Sequence, residues 1–163
     1  MGTKQKCNFR QIMLKVRKGE ENDVNKVFEL VMELAVFERG ESEVINTPNK
    51  MRQEAFGENP SFDFFVAEKD GEIVGTSIFY IRYSTWKGPT LYLEDIVVTK
   101  KERGKGVGTN LFEKTLEYAK SKGYPRMSWQ VLDWNTKAIE FYKKFSTEFD
   151  SQWINCHLDV VSS

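Results

Sequence analysis

A glycine-rich run near the middle of the chain contains the residue types that can hold a phosphate group, Glu102-Arg103-Gly104-Lys105-Gly106-Val107-Gly108-Thr109. Glycine lets the backbone approach an anion closely, and the first N–H groups of a helix point at an anion that the helix dipole also attracts. A strand-like segment, Leu91 to Val98, precedes the run, and an amphipathic helix begins near Val107. The alternative is a glycine-rich turn with two solvated cations, but the passage from strand to helix favours a phosphate site.

The glycine spacing excludes two common nucleotide loops. A P-loop ends in Gly-Lys-Ser/Thr, whereas Gly108 is followed directly by Thr109. A dinucleotide fingerprint has the spacing G-x-G-x-x-G after the first strand of its fold, whereas these glycines occupy alternate positions late in the chain. We therefore expect neither ATP chemistry of the P-loop type nor a Rossmann site.

Two carboxylates, Glu94 and Asp95, interrupt the apolar strand before the loop. A carboxylate can take a proton from an amine or hold a cationic substrate. Because neighbouring residues of a strand point to opposite faces, we expect the two side chains to serve different faces. A solvent-facing ion pair is the alternative.

Composition limits the function further. The chain has 163 residues, enough for one domain, with 40% hydrophobic and 29% charged residues. A net charge of zero gives no general attraction to nucleic acid, and no apolar run approaches the roughly 20 residues that span a bilayer. Two distant cysteines, Cys7 and Cys156, without CxxC or HExxH, give no support to a metal site. We expect a cytoplasmic protein that binds neither nucleic acid nor membrane and holds no metal.

The order of elements follows from periodicity and turn residues. Asp70-Gly71 predicts a hairpin between two of the strands, Asn135 caps a late helix, and Gly123 ends the helix after the glycine loop. The predicted strands are Phe9 to Lys18, Asp63 to Glu68, Ile73 to Tyr83, Leu91 to Val98, Met127 to Leu132, and runs near Phe149 and Trp153 to Val160. The predicted helices begin near Glu21, at Pro48, near Val107 and after Asn135, the last of these reaching about Lys144.

This order, together with Arg103-x-x-Gly106-x-Gly108, resembles the GNAT N-acetyltransferases, in which an acetyl-CoA pyrophosphate loop follows the fourth strand. More narrowly, the chain is similar to the diamine (spermidine/spermine) and thialysine N-acetyltransferase branch. The matching pieces include Phe37-Glu38, Phe56-Gly57-Glu58-x-Pro60, Tyr92-Leu93-Glu94-Asp95, Trp134-Asn135 and Phe141-Tyr142-Lys143. The resemblance implies one α/β (α+β) domain over residues 1–163 with the GNAT acyl-CoA N-acyltransferase fold, a mixed sheet of about seven strands flanked by about four helices.

The resemblance also implies an enzyme that moves the acetyl group from acetyl-CoA to a primary amine of a small molecule. It assigns proton removal from the amine to Glu94 and proton donation to the departing CoA sulfur to Tyr142, which could otherwise be an ordinary core tyrosine. The implied coenzyme-binding residues are Ile96, Val97, Val98, Arg103, Gly104, Lys105, Gly106, Val107, Gly108, Thr109, Asn135, Tyr142 and Lys143. The implied acceptor-binding residues are Glu38, Glu58, Trp86, Glu94 and Asp95.

Direct attack in a ternary complex is expected, because neither Cys7 nor Cys156 lies in a motif that would lower a thiol pKa. Ser84-Thr85 stands before Trp86 where diamine enzymes tend to carry Asp-Pro, which favours thialysine or a lysine analogue over spermine. Phe145-Ser146 replaces the usual Gly-Ala after the last helix. A protein or peptide acetyltransferase, a non-catalytic CoA-binding sensor and a structural interaction module remain as alternatives, and the resemblance implies a homodimer.

Overall fold

The computed structural model describes residues 14–160, in which five strands and four α-helices form. The strands are β1 (Leu14–Lys18), β2 (Asp63–Lys69), β3 (Glu72–Ser84), β4 (Gly88–Val98) and β5 (Met127–Ser128). The α-helices are α1 (Val24–Glu38), α2 (Pro48–Phe56), α3 (Val107–Ser121) and α4 (Thr136–Lys143). These residues form two compact units, a first unit that ends at Trp129 and a second unit that starts at Gln130.

The first unit is a mixed sheet in the order β1-β2-β3-β4-β5. Strands β1 to β4 are antiparallel neighbours, and β5 pairs with β4 in parallel. The hairpin between β2 and β3 turns at Asp70 and Gly71, whose φ angles of 53° and 87° suit a tight hairpin turn. The predicted Asp-Gly hairpin is therefore confirmed.

Helices cover both faces of the central strands. On one face, Val24 of α1 and Met51 of α2 pack with Phe64 and Ile78 of the sheet. On the other face, the ring of Tyr118 of α3 lies 5.1 Å from that of Phe79, between ring centroids. The central strands are therefore buried on both sides, and the α1/α2 face becomes the wall of the cavity described below.

Within residues 14–160 the sheet has five strands, fewer than the sequence prediction of about seven. Strand β5 ends at Ser128 instead of Leu132, and no strand forms near Phe149 or from Trp153 to Val160. The exposed fractions of Trp153 and Ile154 are 75% and 87%, so this segment does not pack as a strand of the sheet within residues 14–160. Periodicity predicts which face a strand would bury, whereas strand formation also needs a partner. The predicted strand residues 9–13, like Cys7, lie outside the described residues.

The second unit contains α4. Asn135 caps this helix as expected, because its Oδ1 accepts a hydrogen bond from the Ala138 N–H at 3.2 Å. None of the helices within residues 14–160 is long and apolar enough to cross a membrane.

Candidate active site

The glycine loop has the backbone geometry of an anion site. After a short 3₁₀ turn at Lys100–Glu102, Gly104 and Gly106 take φ angles of 75° and 84°, in the left-handed region that favours glycine. Gly106 is the N-cap of α3, and the Asn110 N–H donates to the Gly106 carbonyl at 3.1 Å as the helix begins. The N–H groups ahead of Asn110, up to Thr109, have no acceptor within the helix and lie at the positive end of its dipole.

Both cations of the loop have protein partners. The Arg103 Nε donates to the Val98 carbonyl at 2.8 Å, and its guanidinium lies 5.5 Å from the centroid of the Phe37 ring. The Lys105 Nζ is 3.3 Å from the carboxylate of Glu102, which also accepts a hydrogen bond from the Lys69 Nζ at 2.6 Å. These contacts, Lys69 first, lower the pKa of Glu102. Arg103 thus fixes the loop to the end of β4. The main-chain N–H groups at the start of α3 are therefore the main hydrogen-bond donors that the loop provides for a phosphate.

The strand before the loop has a partly open edge. Among residues 14–160, β5 pairs with β4 only at Leu91 and Tyr92, so the following residues of β4 have no ladder partner on that side. Ile96, Val97 and Val98, the residues predicted to contact the pantetheine arm through their main chains, belong to this stretch. Their open edge provides main-chain groups of the kind that pair with amides.

A cavity of about 390 Å³ lies over the same strand, between α1, α2 and the sheet. Its lining is mainly apolar, with carboxylates from Glu54, Glu94 and Asp95. The lining residues are Phe28, Val31, Val44, Asn46, Met51, Glu54, Ser61, Phe62, Ile78, Tyr80, Glu94 and Asp95. A cavity of this kind suits a small molecule with an aliphatic body and a cationic group.

Glu94 and Asp95 line the same cavity, so the expectation that they serve opposite faces is wrong. Ile78 of β3 pairs with Asp95 and the next residue, Phe79, pairs with Leu93, which leaves Glu94 as an extra residue in a β-bulge. A bulge inserts one residue into the alternation and re-aims a side chain. The bulge therefore directs two adjacent carboxylates into one space.

The electrostatics of the cavity favour a cation. Burial, followed by the charges of Glu94 and Glu38, raises the pKa of Asp95 to about 6. Burial also raises the pKa of Glu38, which ends α1. Glu38 thus acts electrostatically on Asp95, but it is not among the residues that line the cavity.

Two aromatic residues extend the carboxylate cluster along the sheet. Tyr80 lies beside Glu94, and burial, followed by the negative charge of Glu94, raises the pKa of Tyr80. The rings of Tyr80 and Tyr92, which face each other across β3 and β4, lie 5.3 Å apart between centroids. Sequence reasoning missed Tyr80, although the alternation Ile78, Tyr80, Arg82 on β3 places all three on one face.

Two predicted acceptor residues lie away from this cavity. Trp86 is 88% exposed in the turn between β3 and β4, and Glu58 is exposed in the turn after α2. Glu54, one helical turn before Glu58, lines the cavity instead. No group of residues among 14–160 could hold a metal ion.

The second unit contains the remaining predicted residues. Tyr142 is buried in α4, with 5% of its surface exposed, and its ring centroid lies 5.1 Å from that of Phe141. The Lys143 Nζ pairs with Glu140 at 2.6 Å, and Asn135 holds the helix cap. Ser146 adopts a φ of 53° in the turn where Phe145-Ser146 departs from the family pattern.

Known proteins resemble this chain in sequence and in fold. Residues 24–146 match the model of the Acetyltransferase (GNAT) family. A mouse protein named thialysine N-epsilon-acetyltransferase is 39% identical over 137 residues, which cover 79% of this chain and 81% of that protein. A human protein named spermidine/spermine N(1)-acetyltransferase-like protein 1 is 29% identical over 134 residues, 78% of this chain and 19% of that protein.

A solved structure shows the same fold at low sequence identity. An aminoglycoside N-acetyltransferase in complex with CoA superposes with a TM-score of 0.72 at 18% identity, covering 92% of this chain and 97% of that chain. The resemblance to the GNAT N-acetyltransferases is therefore confirmed, both for the family and for the fold.

Proposed function

The chain belongs to the acetyltransferase (GNAT) family, and from that premise we propose that the cavity beside Glu94 and Asp95 holds the amine that receives the acetyl group. The protein is an acetyl-CoA-dependent N-acetyltransferase, and its acceptor is a small-molecule primary amine. A lysine-like amine such as thialysine is the first candidate, and diamines and polyamines are the others. The relatives named for thialysine and for spermidine/spermine acetylation support this range of acceptors.

One observation carries the proposal. The bulge of β4 places two carboxylates in a mainly apolar cavity, and the same strand leads within a few residues to the glycine loop. Asp95 and Val98 are three positions apart, or roughly 10 Å along the strand. An amine held at the carboxylates therefore lies within a short distance of the strand edge where a thioester would lie.

Acetyl transfer needs a deprotonated amine, a polarised carbonyl and a proton for the leaving sulfur, and this chain has a residue for each. Asp95 attracts and positions the ammonium group of the acceptor, and Glu94 takes its proton, directly or through a water molecule. The amine nitrogen then bonds to the acetyl carbon, and the bond from that carbon to the CoA sulfur breaks. The main-chain N–H of Val98, which faces the open edge of β4, polarises the carbonyl oxygen, and Tyr142 gives its proton to the departing sulfur. The new amide nitrogen loses its second proton, which restores the Tyr142 hydroxyl through solvent.

The coenzyme is held by the residues that the resemblance assigned to it. The N–H groups of Gly106 to Thr109 bind the pyrophosphate, and Arg103 keeps the loop attached to β4. The open edge of β4 pairs with the pantetheine amides. Asn135 and Lys143, which belong to the second unit, are the remaining residues that bind the coenzyme.

Release of free thiol from acetyl-CoA tests this function. The panel contains thialysine, lysine, diamines, polyamines and lysine-containing peptides, and we expect turnover with the small amines. Turnover with peptides alone would indicate a protein acetyltransferase. Coenzyme binding without turnover of any amine would indicate a sensor domain, and absence of coenzyme binding would leave only a structural module.

We also propose that the protein is a homodimer in the cytoplasm. Sedimentation equilibrium measures the first property, and a mass near 19.0 kDa would contradict it. Fractionation of cells measures the second.

A further inference from the structure

Arg82 does not line the acceptor cavity, but it follows the lining residue Tyr80 on β3 and so lies at the rim of the cavity. It lies on β3 two positions after Tyr80 and four after Ile78, so its side chain emerges on the face that lines the cavity. Its guanidinium is 5.6 Å from the centroid of the Tyr92 ring. Tyr92 is the diagonal neighbour of Arg82 in the ladder, since Thr90 is directly opposite. The Arg82 side chain therefore leans along the sheet, toward the pair formed by Tyr80 and Tyr92.

A short series of contacts connects this cation with the reacting carboxylates. Arg82 stacks on Tyr92, the Tyr92 ring contacts the Tyr80 ring, and the Glu94 carboxylate lies near enough to Tyr80 for its charge to raise the Tyr80 pKa. The pair of Tyr80 and Tyr92 lies two residues along β3 from the pair of Ile78 and Asp95. The Arg82 backbone is four residues from Ile78, or roughly 13 Å along β3. Because the guanidinium leans back over Tyr92, the distance that the acceptor must span is shorter and approaches the length of an extended lysine side chain.

The charge of Arg82 has no acidic partner in the described part of the chain. None of the ion pairs among residues 14–160 includes it. Its planar guanidinium is supported on one face by an aromatic ring and exposes its edge to solvent. This is the geometry in which arginine binds a carboxylate through two N–H groups.

A cation at the rim of an acidic cavity discriminates between amines. A polyamine carries positive charge along its whole length, so its distal ammonium would meet Arg82 unfavourably. An amino acid with a terminal amine carries a carboxylate at its other end and matches both charges.

We propose that Arg82 binds the α-carboxylate of an amino-acid acceptor whose terminal amine lies at Glu94 and Asp95. Arg82 is thus the residue that selects a lysine-type amino acid over the diamine of the same length. This inference rests on the proposed function, because it concerns the acceptor of the same reaction.

A comparison of substrates tests the proposal in the unmodified protein. Lysine, lysinamide and cadaverine share the terminal amine, but only lysine carries the carboxylate. We expect kcat/KM for lysine to exceed that for each of the other two by about tenfold, as a charge-assisted hydrogen bond provides. Equal values for the three, or a preference for cadaverine, would overturn the proposal.

Variants then assign the preference to Arg82. Arg82→Met removes the charge but keeps an apolar side chain against Tyr92, and we expect it to raise KM for lysine about tenfold while kcat and the cadaverine values stay nearly constant. Arg82→Lys should retain part of the preference. Lys87→Gln removes an exposed cation from the turn of the same hairpin and should leave the preference unchanged.

The outcomes separate this inference from the proposed function. Unmodified protein that acetylates lysine, together with an Arg82→Met variant that keeps the full preference for it, would refute the role of Arg82 alone. Absence of turnover with every amine of the panel would refute both. Should Arg82→Met fold poorly, Arg82→Lys tests the residue instead, because a reduced preference for lysine over lysinamide would assign the carboxylate contact to position 82 and an unchanged preference would refute it.

Discussion

Asp95 and Glu94 are adjacent in the chain, but their surroundings differ. Asp95 is enclosed beside Glu94 and Glu38, and its pKa of about 6 reflects burial first and the like charges second. Glu94 is exposed and lies beside Tyr80, whose pKa its charge raises. An exposed carboxylate at the cavity suits proton removal, and one that lacks a cationic partner in the described protein suits the attraction of an ammonium group.

Asp95→Asn should stabilise the folded protein at neutral pH. The pKa of Asp95 is about 6 in the folded state against an ordinary 3.8, so between these values the folded state binds more protons than the unfolded state. The free energy of unfolding therefore falls as pH rises from about 4 to about 6, and the cost persists above that window. Removal of the charge should recover up to about 3 kcal/mol at pH 7.

Urea unfolding of both proteins at several pH values measures this effect. The two proteins should differ little near pH 4, and the advantage of the variant should grow as pH rises through the window. A variant less stable than the parent at neutral pH would contradict the argument. We also expect Asp95→Asn to bind the acceptor more weakly, because the charge that destabilises the fold is the charge that attracts the ammonium group.

Tyr142→Phe should separate coenzyme binding from catalysis. The substitution keeps the buried ring and removes only the hydroxyl, so the packing against Phe141 remains. We expect kcat to fall about a hundredfold while the affinity for acetyl-CoA stays nearly constant, because the hydroxyl acts on the leaving sulfur. Tyr83→Phe is the control, since Tyr83 is 73% exposed on β3. A rate equal to that of the parent would exclude Tyr142 from the chemistry.

At the scale of single residues, the sequence identified candidate site residues better than it predicted the directions of their side chains. Glu94 and Asp95 could be selected from two charges in an apolar strand, but their common direction could not, because the bulge depends on the register between β3 and β4. Tyr80 and Arg82 looked like ordinary strand residues until β4 placed Tyr92 beside them. Trp86 and Glu58 were selected by resemblance, and the structure leaves both outside the cavity lining.

Helix α3 is the element that presents the anion site, and its two ends provide a matched test. Gly106 before the helix and Gly123 after it have φ angles of 84° and 71°, and a Cβ at either position would meet no atom within 4 Å. Gly106→Ala and Gly123→Ala should therefore each cost only the backbone strain, about 1–2 kcal/mol.

The two variants should differ in coenzyme binding. Gly106 forms the left-handed turn that aims the first N–H groups of α3, so Gly106→Ala should weaken acetyl-CoA binding about tenfold in calorimetry. Gly123→Ala should bind as the parent does. Equal affinities in the two variants would mean that the pyrophosphate does not lie at this helix start.

Elements with both local and tertiary support were predicted well from the sequence. The hairpin at Asp70-Gly71, the start of α2 at Pro48 and the Asn135 cap of α4 each depend on a residue whose own chemistry fixes the turn or the helix start. Strands were predicted poorly where only alternation supported them. Trp153 to Val160 has the pattern of a strand, but a partner strand is a property of the fold and not of the segment.

At the scale of the molecule, the functional assignments divide between the two units. The acceptor cavity, the open edge of β4 and the glycine loop belong to the first unit, and Asn135, Tyr142 and Lys143 belong to the second. The sequence predicted one domain over residues 1–163, and that remains a prediction. For a chain of this size, one domain implies a single cooperative unfolding transition.

Hydrogen exchange along a denaturant series tests this prediction, because peptides report on each unit separately. We expect residues 14–129 and 130–160 to lose protection at one midpoint. Acetyl-CoA at a hundredfold excess over its dissociation constant should stabilise both sets of peptides by about 2.7 kcal/mol, since a ligand of the folded state alone opposes global unfolding. Gly106→Ala should need about ten times more coenzyme for the same protection. If peptides of residues 130–160 opened first and ignored the coenzyme, the second unit would be an independent domain, and the coenzyme roles of Asn135, Tyr142 and Lys143 would be refuted.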